Sequence, residues 1–115
     1  MNYKLFLDDI RTVPMVYKSL KDDDFIIVRN FIDFKKVILK KGLPSYISFD
    51  NDLGLDEYGI IAPDGYAAAK WLVYNSGLDL RELQFYVHSA NPVAKQQIQS
   101  LLDNYIKHLN SDDDI

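Results

Sequence analysis

Three stretches of the chain place acidic or polar groups directly after an apolar run. Tyr3 to Leu7 leads into Asp8, Asp9 and Arg11. Tyr46 to Phe49 leads into Asp50, Asn51 and Asp52, with Gly54 behind them. Gln84 to Val87 leads into His88, Ser89, Asn91 and Pro92. Four carboxylates drawn into one crevice repel one another unless a cation stands among them. Oxygen donors of this kind suit Mg²⁺ or Mn²⁺ and not zinc. Mg²⁺ commonly takes one or two carboxylates, keeps several waters and meets a phosphate oxygen. Asp8, Asp9, Asp50 and Asp52 are therefore candidate metal ligands, and the chemistry they suggest is that of a phosphate ester.

Other residues in the same stretches fit that chemistry. The fork of Arg11 could hold two phosphate oxygens, or could pair with Asp8 or Asp9 and steady the loop. Histidine ordinarily titrates near neutrality, so His88 could protonate a leaving oxygen or orient water. Ser89 and the amides that open the following helix could hold phosphate oxygens. Asn91 could join them, although Asn followed by Pro is also a helix N-cap and first-turn pair. Residues 50–61 do not make a calcium loop: the sixth position is Leu55 and the twelfth Ile61. A nucleophilic-serine elbow, a P-loop and a dinucleotide glycine fingerprint are all missing.

An alternating set of strands and helices would bring these groups together. Strands are expected at Tyr3–Leu7, Phe25–Val28, Tyr46–Phe49 and about Leu83–Val87. A short helix begins near Thr12 to Pro14, and the run Asp22-Asp23-Asp24 reads as a solvated turn. Asn30 caps a second helix carrying Phe31, Phe34, Val37 and Ile38 on one face, stopped by Gly42. Asp64 caps a third, from Gly65 to about Ser76, with Ala68, Trp71, Leu72 and Asn75 at helical spacing. The fourth carries Ile98, Leu101, Leu102, Tyr105, Ile106 and Leu109. The loop from Leu55 to Pro63 is long for a strand-to-helix connection, as lids and binding loops are.

This alternation predicts an α/β, three-layer, flavodoxin-like or receiver-like domain. Its mostly parallel four-stranded sheet has order 2-1-3-4, with helices on both faces. Ligands then bind outside the carboxyl ends of the strands. The domain is expected over residues 1–110, with 111–115 a flexible acidic tail.

Composition narrows the partners. The 115 residues are 48% hydrophobic and 13% aromatic, carry a net charge of −4 with a pI near 5.0, and include no cysteine. An acidic chain is a poor match for a long nucleic-acid backbone, which needs a basic face. A small phosphorylated ligand or the end of an RNA remains a fitting partner. No apolar run reaches the ~18 residues of a membrane span. The start lacks a signal-peptide core, so the cytoplasm is the expected compartment. Composition says nothing of oligomeric state.

The ordered motifs resemble a known group. Acids after strand 1, an acid after strand 3 and a hydroxyl after strand 4 are the pattern of receiver domains. By that resemblance Asp8 and Asp9 match the metal acids, Asp50 the phospho-acceptor and Ser89 the hydroxyl position. The wording is closer to a divergent branch, the cyclic-phosphate processing receiver-like domains. That branch reads L-F-L-D-D-x-R-x-P, S-F-D-H-D-L-G, D-G-Y-x-A-A-x-W-L and H-S-x-N-P. Here stand Leu5 to Arg11, Ser48 to Gly54, Asp64 to Leu72 and His88 to Pro92. Pro14 falls one residue late, and Asn51 replaces a histidine. The chain stops after helix 4, short of the fifth strand and lysine of signalling receivers, which counts against ordinary two-component signalling.

The resemblance implies processing of cyclic phosphate ends of RNA or nucleotides. Opening a cyclic phosphate needs charge neutralised at phosphorus, an aligned nucleophile and an acid for the leaving ribose oxygen. A metal on Asp8, Asp9 and Asp50 would meet the first need. Asp50 or Asp52 would align water, or Asp50 would itself attack. His88 would be the acid. The alternative expectation is a phospho-accepting or non-catalytic sensor module.

Overall fold

Leu5, Phe6 and Leu7 are fully buried, as a continuous apolar run must be in the middle of a parallel sheet. They belong to β1 (Lys4–Leu7), which pairs with parallel neighbours on both sides. The computed structural model describes residues 2–112, without the side chain of Asp112. The other elements are α1 (Val13–Val16), a 3₁₀ turn (Asp22–Asp24), β2 (Ile26–Val28), α2 (Phe31–Lys41) and β3 (Tyr46–Phe49). After them come α3 (Gly65–Tyr74), β4 (Gln84–Val87) and α4 (Pro92–Asp112). The sheet order is β2-β1-β3-β4 and every pairing is parallel. This is the receiver-like α/β architecture that the alternation predicts.

Side chains alternate across a strand, and the two faces are covered unequally. Leu5, Leu7, Val28, Ile47, Phe49 and Val87 pack into one large core. Against them lie Phe34 and Ile38 of α2, Ala68, Ala69 and Leu72 of α3, and Ile98 and Leu102 of α4. Phe6 faces the other way, into a small core with Val13 and Phe25, flanked by Tyr17 and Tyr46. Three helices thus cover one face, and the four-residue α1 with its flanking loop covers the other.

Local signals place the element ends. The Asn30 side chain accepts from the Asp33 amide at 2.8 Å, and Asp64 accepts from Ala67 at 2.8 Å. Asn91 accepts from Val93 and Ala94, both at 3.1 Å. Each satisfies amides that a helix start leaves without partners. Gly42 ends α2 at φ 86°, a left-handed conformation that glycine adopts without penalty.

Some boundaries differ from the sequence expectation. Helix α3 ends at Tyr74 and not Ser76, because the amides of Asn75 and Ser76 both turn to the Trp71 carbonyl, at 2.9 Å, and Gly77 follows at φ 71°. Asn75, expected on the helical stripe, is its exposed C-cap. The acidic run is more than a solvated turn: Asp22 accepts the Val13 amide at 2.8 Å and anchors the start of α1. Helix α4 continues through Asp112; residues 113–115 of the expected tail lie outside the described residues. No described helix is long and apolar enough to cross a membrane.

Candidate active site

The register of the sheet delivers the site. Leu7 of β1 lies opposite Phe49 of β3, and Phe49 opposite Val87 of β4. The ladder runs one residue further. Asp50 donates its amide to the Leu7 carbonyl at 2.9 Å, and His88 donates to Phe49 at 2.8 Å. Asp8, Asp50 and His88 therefore emerge side by side at one rim, where open α/β sheets bind ligands.

Asp8 is fully buried. Its Oδ1 accepts the amides of Ile10 at 2.9 Å and Arg11 at 2.8 Å. Its Oδ2 faces Arg11 Nη1 at 3.3 Å and His88 Nε2 at 3.0 Å. Burial pushes its carboxyl up, but the Arg11 and Ile10 amides and the His88 contact outweigh burial. Its pKa lies below the usual value.

Asp50 is 6% exposed, and its Oδ1 accepts the Asn51 amide at 2.8 Å. Arg11 Nη1 lies 3.5 Å from the same oxygen. Burial first, and the charge of Asp8 second, push its carboxyl up to about 6, against the pull of the Asn51 amide and Arg11. The two acids thus sit on opposite sides of the ordinary value, the usual sign of divided roles in a site.

One ligand atom from each of Asp8, Asp50 and His88 lies within 4.8 Å of the others, a grouping that could hold a metal ion. The structure does not bring Asp9 and Asp52 into it. Asp9 is half-buried, and its Oδ2 approaches Gly54: a Cβ added there would lie 3.1 Å away. Asp52 is exposed, with Oδ1 at 3.4 Å from the Asn51 side-chain amide. A strand-end carboxylate two residues past Asp50 leaves the rim because the chain has already turned.

His88 reaches the site but faces inward. Its side chain is 2% exposed and stacks on Phe6, with centroids 4.9 Å apart and planes 9° from parallel. Burial lowers its pKa, the Asp8 hydrogen bond and charge raise it, and the Arg11 charge lowers it; the net direction is down. Nδ1 contacts the Ser48 hydroxyl at 2.7 Å. Both ring nitrogens therefore have protein partners.

Ser89 and Asn91 lie at the same rim and work at the start of α4. The Ser89 hydroxyl accepts the Asn91 amide at 3.1 Å, while the Asn91 side chain caps the helix. Asn51, which replaces the pattern histidine, is 6% exposed and turns toward α3. Its side-chain oxygen accepts the Tyr66 amide at 3.2 Å, and its carbonyl accepts the Gly65 amide at 2.8 Å. Gly65 is required there: a Cβ would lie 1.8 Å from the Asp50 carbonyl oxygen.

Three contributors were not among the candidates read from the sequence. Arg29, just past β2, donates Nη1 to the carbonyls of Asp8 at 3.0 Å and Arg11 at 2.6 Å, and so braces the acid turn. It follows a strand like the other site residues, which was the available signal. Ser48 is a polar residue inside a buried strand, itself informative. Tyr17 gave no signal. Two hollows of about 520 and 630 Å³ lie elsewhere, one near Asn2, Pro44 and Asp79 and one along β4.

The cyclic-phosphate processing receiver domain family matches residues 3–104. The chain belongs to this family. No curated protein and no solved structure matches it significantly. The family match covers all four strands and most of α4. The acid rim is thus part of a receiver-like domain associated with cyclic-phosphate processing.

Proposed function

We propose that this domain hydrolyses phosphate esters, chiefly cyclic phosphate ends of RNA or nucleotides, with Mg²⁺ or Mn²⁺ at the acid rim. The observation that carries the reading is the position of Arg11. Its Nη1 stands 3.3 Å from Asp8 and 3.5 Å from Asp50, so a cation already sits between the two acids. The donor set fits a hard divalent ion, since carboxylate oxygens are its natural ligands. Asp8 and Asp50 would hold it, and it would withdraw negative charge from the phosphate. Asp9, next in the chain and half-buried, would serve the waters that Mg²⁺ gives up reluctantly.

The remaining roles fall to the chain's own groups. Arg11 is about one-third exposed and offers its fork to phosphate oxygens. Ser89 and the amides opening α4 offer a second anchor. Asp50 would also align the attacking water and take its proton, as a carboxylate at the reacting centre can. Water adds to phosphorus, one ribose oxygen leaves and takes a proton from solvent, and the ring opens to a monoester. The loop after the acids carries Leu55, Tyr58, Ile60 and Ile61, each residue more than half exposed. That apolar rim suits the base of a nucleotide.

The test is incubation with Mg²⁺ or Mn²⁺ and a panel of 2′,3′-cyclic nucleotides and cyclic-phosphate-ended oligonucleotides. Metal-dependent ring opening that Asp50→Asn abolishes supports the proposal. Absence of turnover across the panel overturns it. Mass added at Asp50 by acetyl phosphate, without turnover, would point to a phospho-accepting module instead.

A further inference from the structure

A row of hydroxyls and ring nitrogens runs through the small core to Asp8. Tyr46 and Tyr17 hydroxyls meet at 2.8 Å, and the Tyr17 hydroxyl donates to Ser48 Oγ at 2.9 Å. Ser48 Oγ meets His88 Nδ1 at 2.7 Å, and His88 Nε2 meets Asp8 Oδ2 at 3.0 Å. Ser48 and Asp8 are fully buried, so the contacts they make have little competition from water.

Proton accounting fixes the direction of the row. Each hydroxyl has one proton to give. Tyr17 spends its own on Ser48, so Tyr46 donates to Tyr17. A neutral imidazole carries one N–H. Were that proton on Nδ1, bare Nε2 would face a carboxylate oxygen at 3.0 Å, two acceptors in contact inside a buried site. With the proton on Nε2, it bonds Asp8, and Nδ1 accepts from Ser48. Every member of the row is then satisfied, as buried polar networks require.

We infer that Tyr17 and Ser48 are positioning residues that hold His88 in its Nε2–H form, so that His88 orients the Asp8 carboxylate. A nitrogen that carries a proton has no lone pair for a metal. In this arrangement His88 therefore serves the acid, as second-shell groups commonly steady a metal ligand, and is neither ligand nor proton donor to substrate. The consequence for metal binding rests on the function proposed above; the tautomer does not.

The experiment is long-range ¹H–¹⁵N correlation NMR on the full chain labelled at histidine nitrogens, at pH 7.5, beside Mg²⁺ calorimetry. The wild type should show His88 protonated at Nε2, with Nδ1 shifted as a hydrogen-bond acceptor. Ser48→Ala should move Nδ1 to the position of an unbonded ring nitrogen and weaken Mg²⁺ binding by roughly tenfold or more. Ser48→Thr should restore both. Tyr17→Phe, which keeps the ring, should shift Nδ1 in the same direction by less. A proton on Nδ1 in the wild type overturns the inference, and so does an Nδ1 signal that ignores Ser48→Ala. The wild-type spectrum decides the tautomer even if a variant fails to fold. Absence of Mg²⁺ binding by the wild type would count against the proposed function and leave the spectral assignment standing.

Discussion

Arg11 Nη1 bridges Asp8 and Asp50, 3.3 Å from one carboxylate and 3.5 Å from the other. These acids lie 42 positions apart in the chain and become neighbours through the β1–β3 register. Removing the arginine leaves like charges facing each other. Arg11→Ala should lower stability by about 1–2 kcal/mol at neutral pH. Mg²⁺ should raise the melting temperature of Arg11→Ala by more than that of the wild type. Equal shifts in thermal melts would show that the ion does not take the arginine's place.

Asp50 sets a pH dependence with a definite sign. Its folded pKa of about 6 exceeds the unfolded value of about 3.9. Between those values the folded state binds more protons, so stability falls as pH rises. The loss is on the order of 2–3 kcal/mol and is complete above about pH 7. Asp8 and His88 are both shifted down and act in the opposite sense as pH falls. The measurement is therefore the difference between wild type and Asp50→Asn in urea unfolding from pH 4 to 7.5. The wild type should lose stability relative to Asp50→Asn across that range; parallel curves would contradict the shift.

The same carboxylate should govern turnover. Asp50→Asn should reduce kcat by about 10²-fold or more, as loss of a general base does, while the far-ultraviolet dichroism stays unchanged. An effect confined to KM would place Asp50 in binding alone.

Gly65 is fixed by close approach, at an ordinary negative φ. Gly65→Ala must push α3 away from the Asp50 carbonyl. A cost of about 1–3 kcal/mol follows from overpacking of this kind, and kcat should fall with it because Asp50 moves. An Ala variant that melts like the wild type would mean that the helix start yields freely.

Tyr58 stands apart from the core, 79% exposed, and its amide is held by Asp56 Oδ1 at 2.9 Å. Tyr58→Ala should leave stability within about 0.5 kcal/mol. If the loop meets the base, KM for a cyclic nucleotide rises several-fold with kcat nearly constant. No change with either mono- or oligonucleotide substrates would remove the loop from recognition.

Much of this molecule could be read from local pattern. The alternation of strands and helices, the caps Asn30, Asp64 and Asn91, and the acids at strand ends all rest on interactions within a few residues or on simple periodicity, and the strand order followed from the topology such alternation adopts. Such signals act between neighbours in the chain, so a linear reading captures them. The aim of each side chain past a strand end was not legible. Asp8 and His88 are 80 positions apart, Ser48 and His88 are 40, and Tyr17 and Ser48 are 31. Their contacts depend on how the small core packs on one sheet face. Packing turned His88 inward and left Asp52 in solvent, and it sent Asn51 to α3 and laid Arg11 across two acids. The sequence by itself determined which strand ends carry acidic and polar groups. The tertiary structure decided which of them face one another, because orientation beyond the last ladder bond is set by non-local packing and by the need to satisfy every buried polar atom.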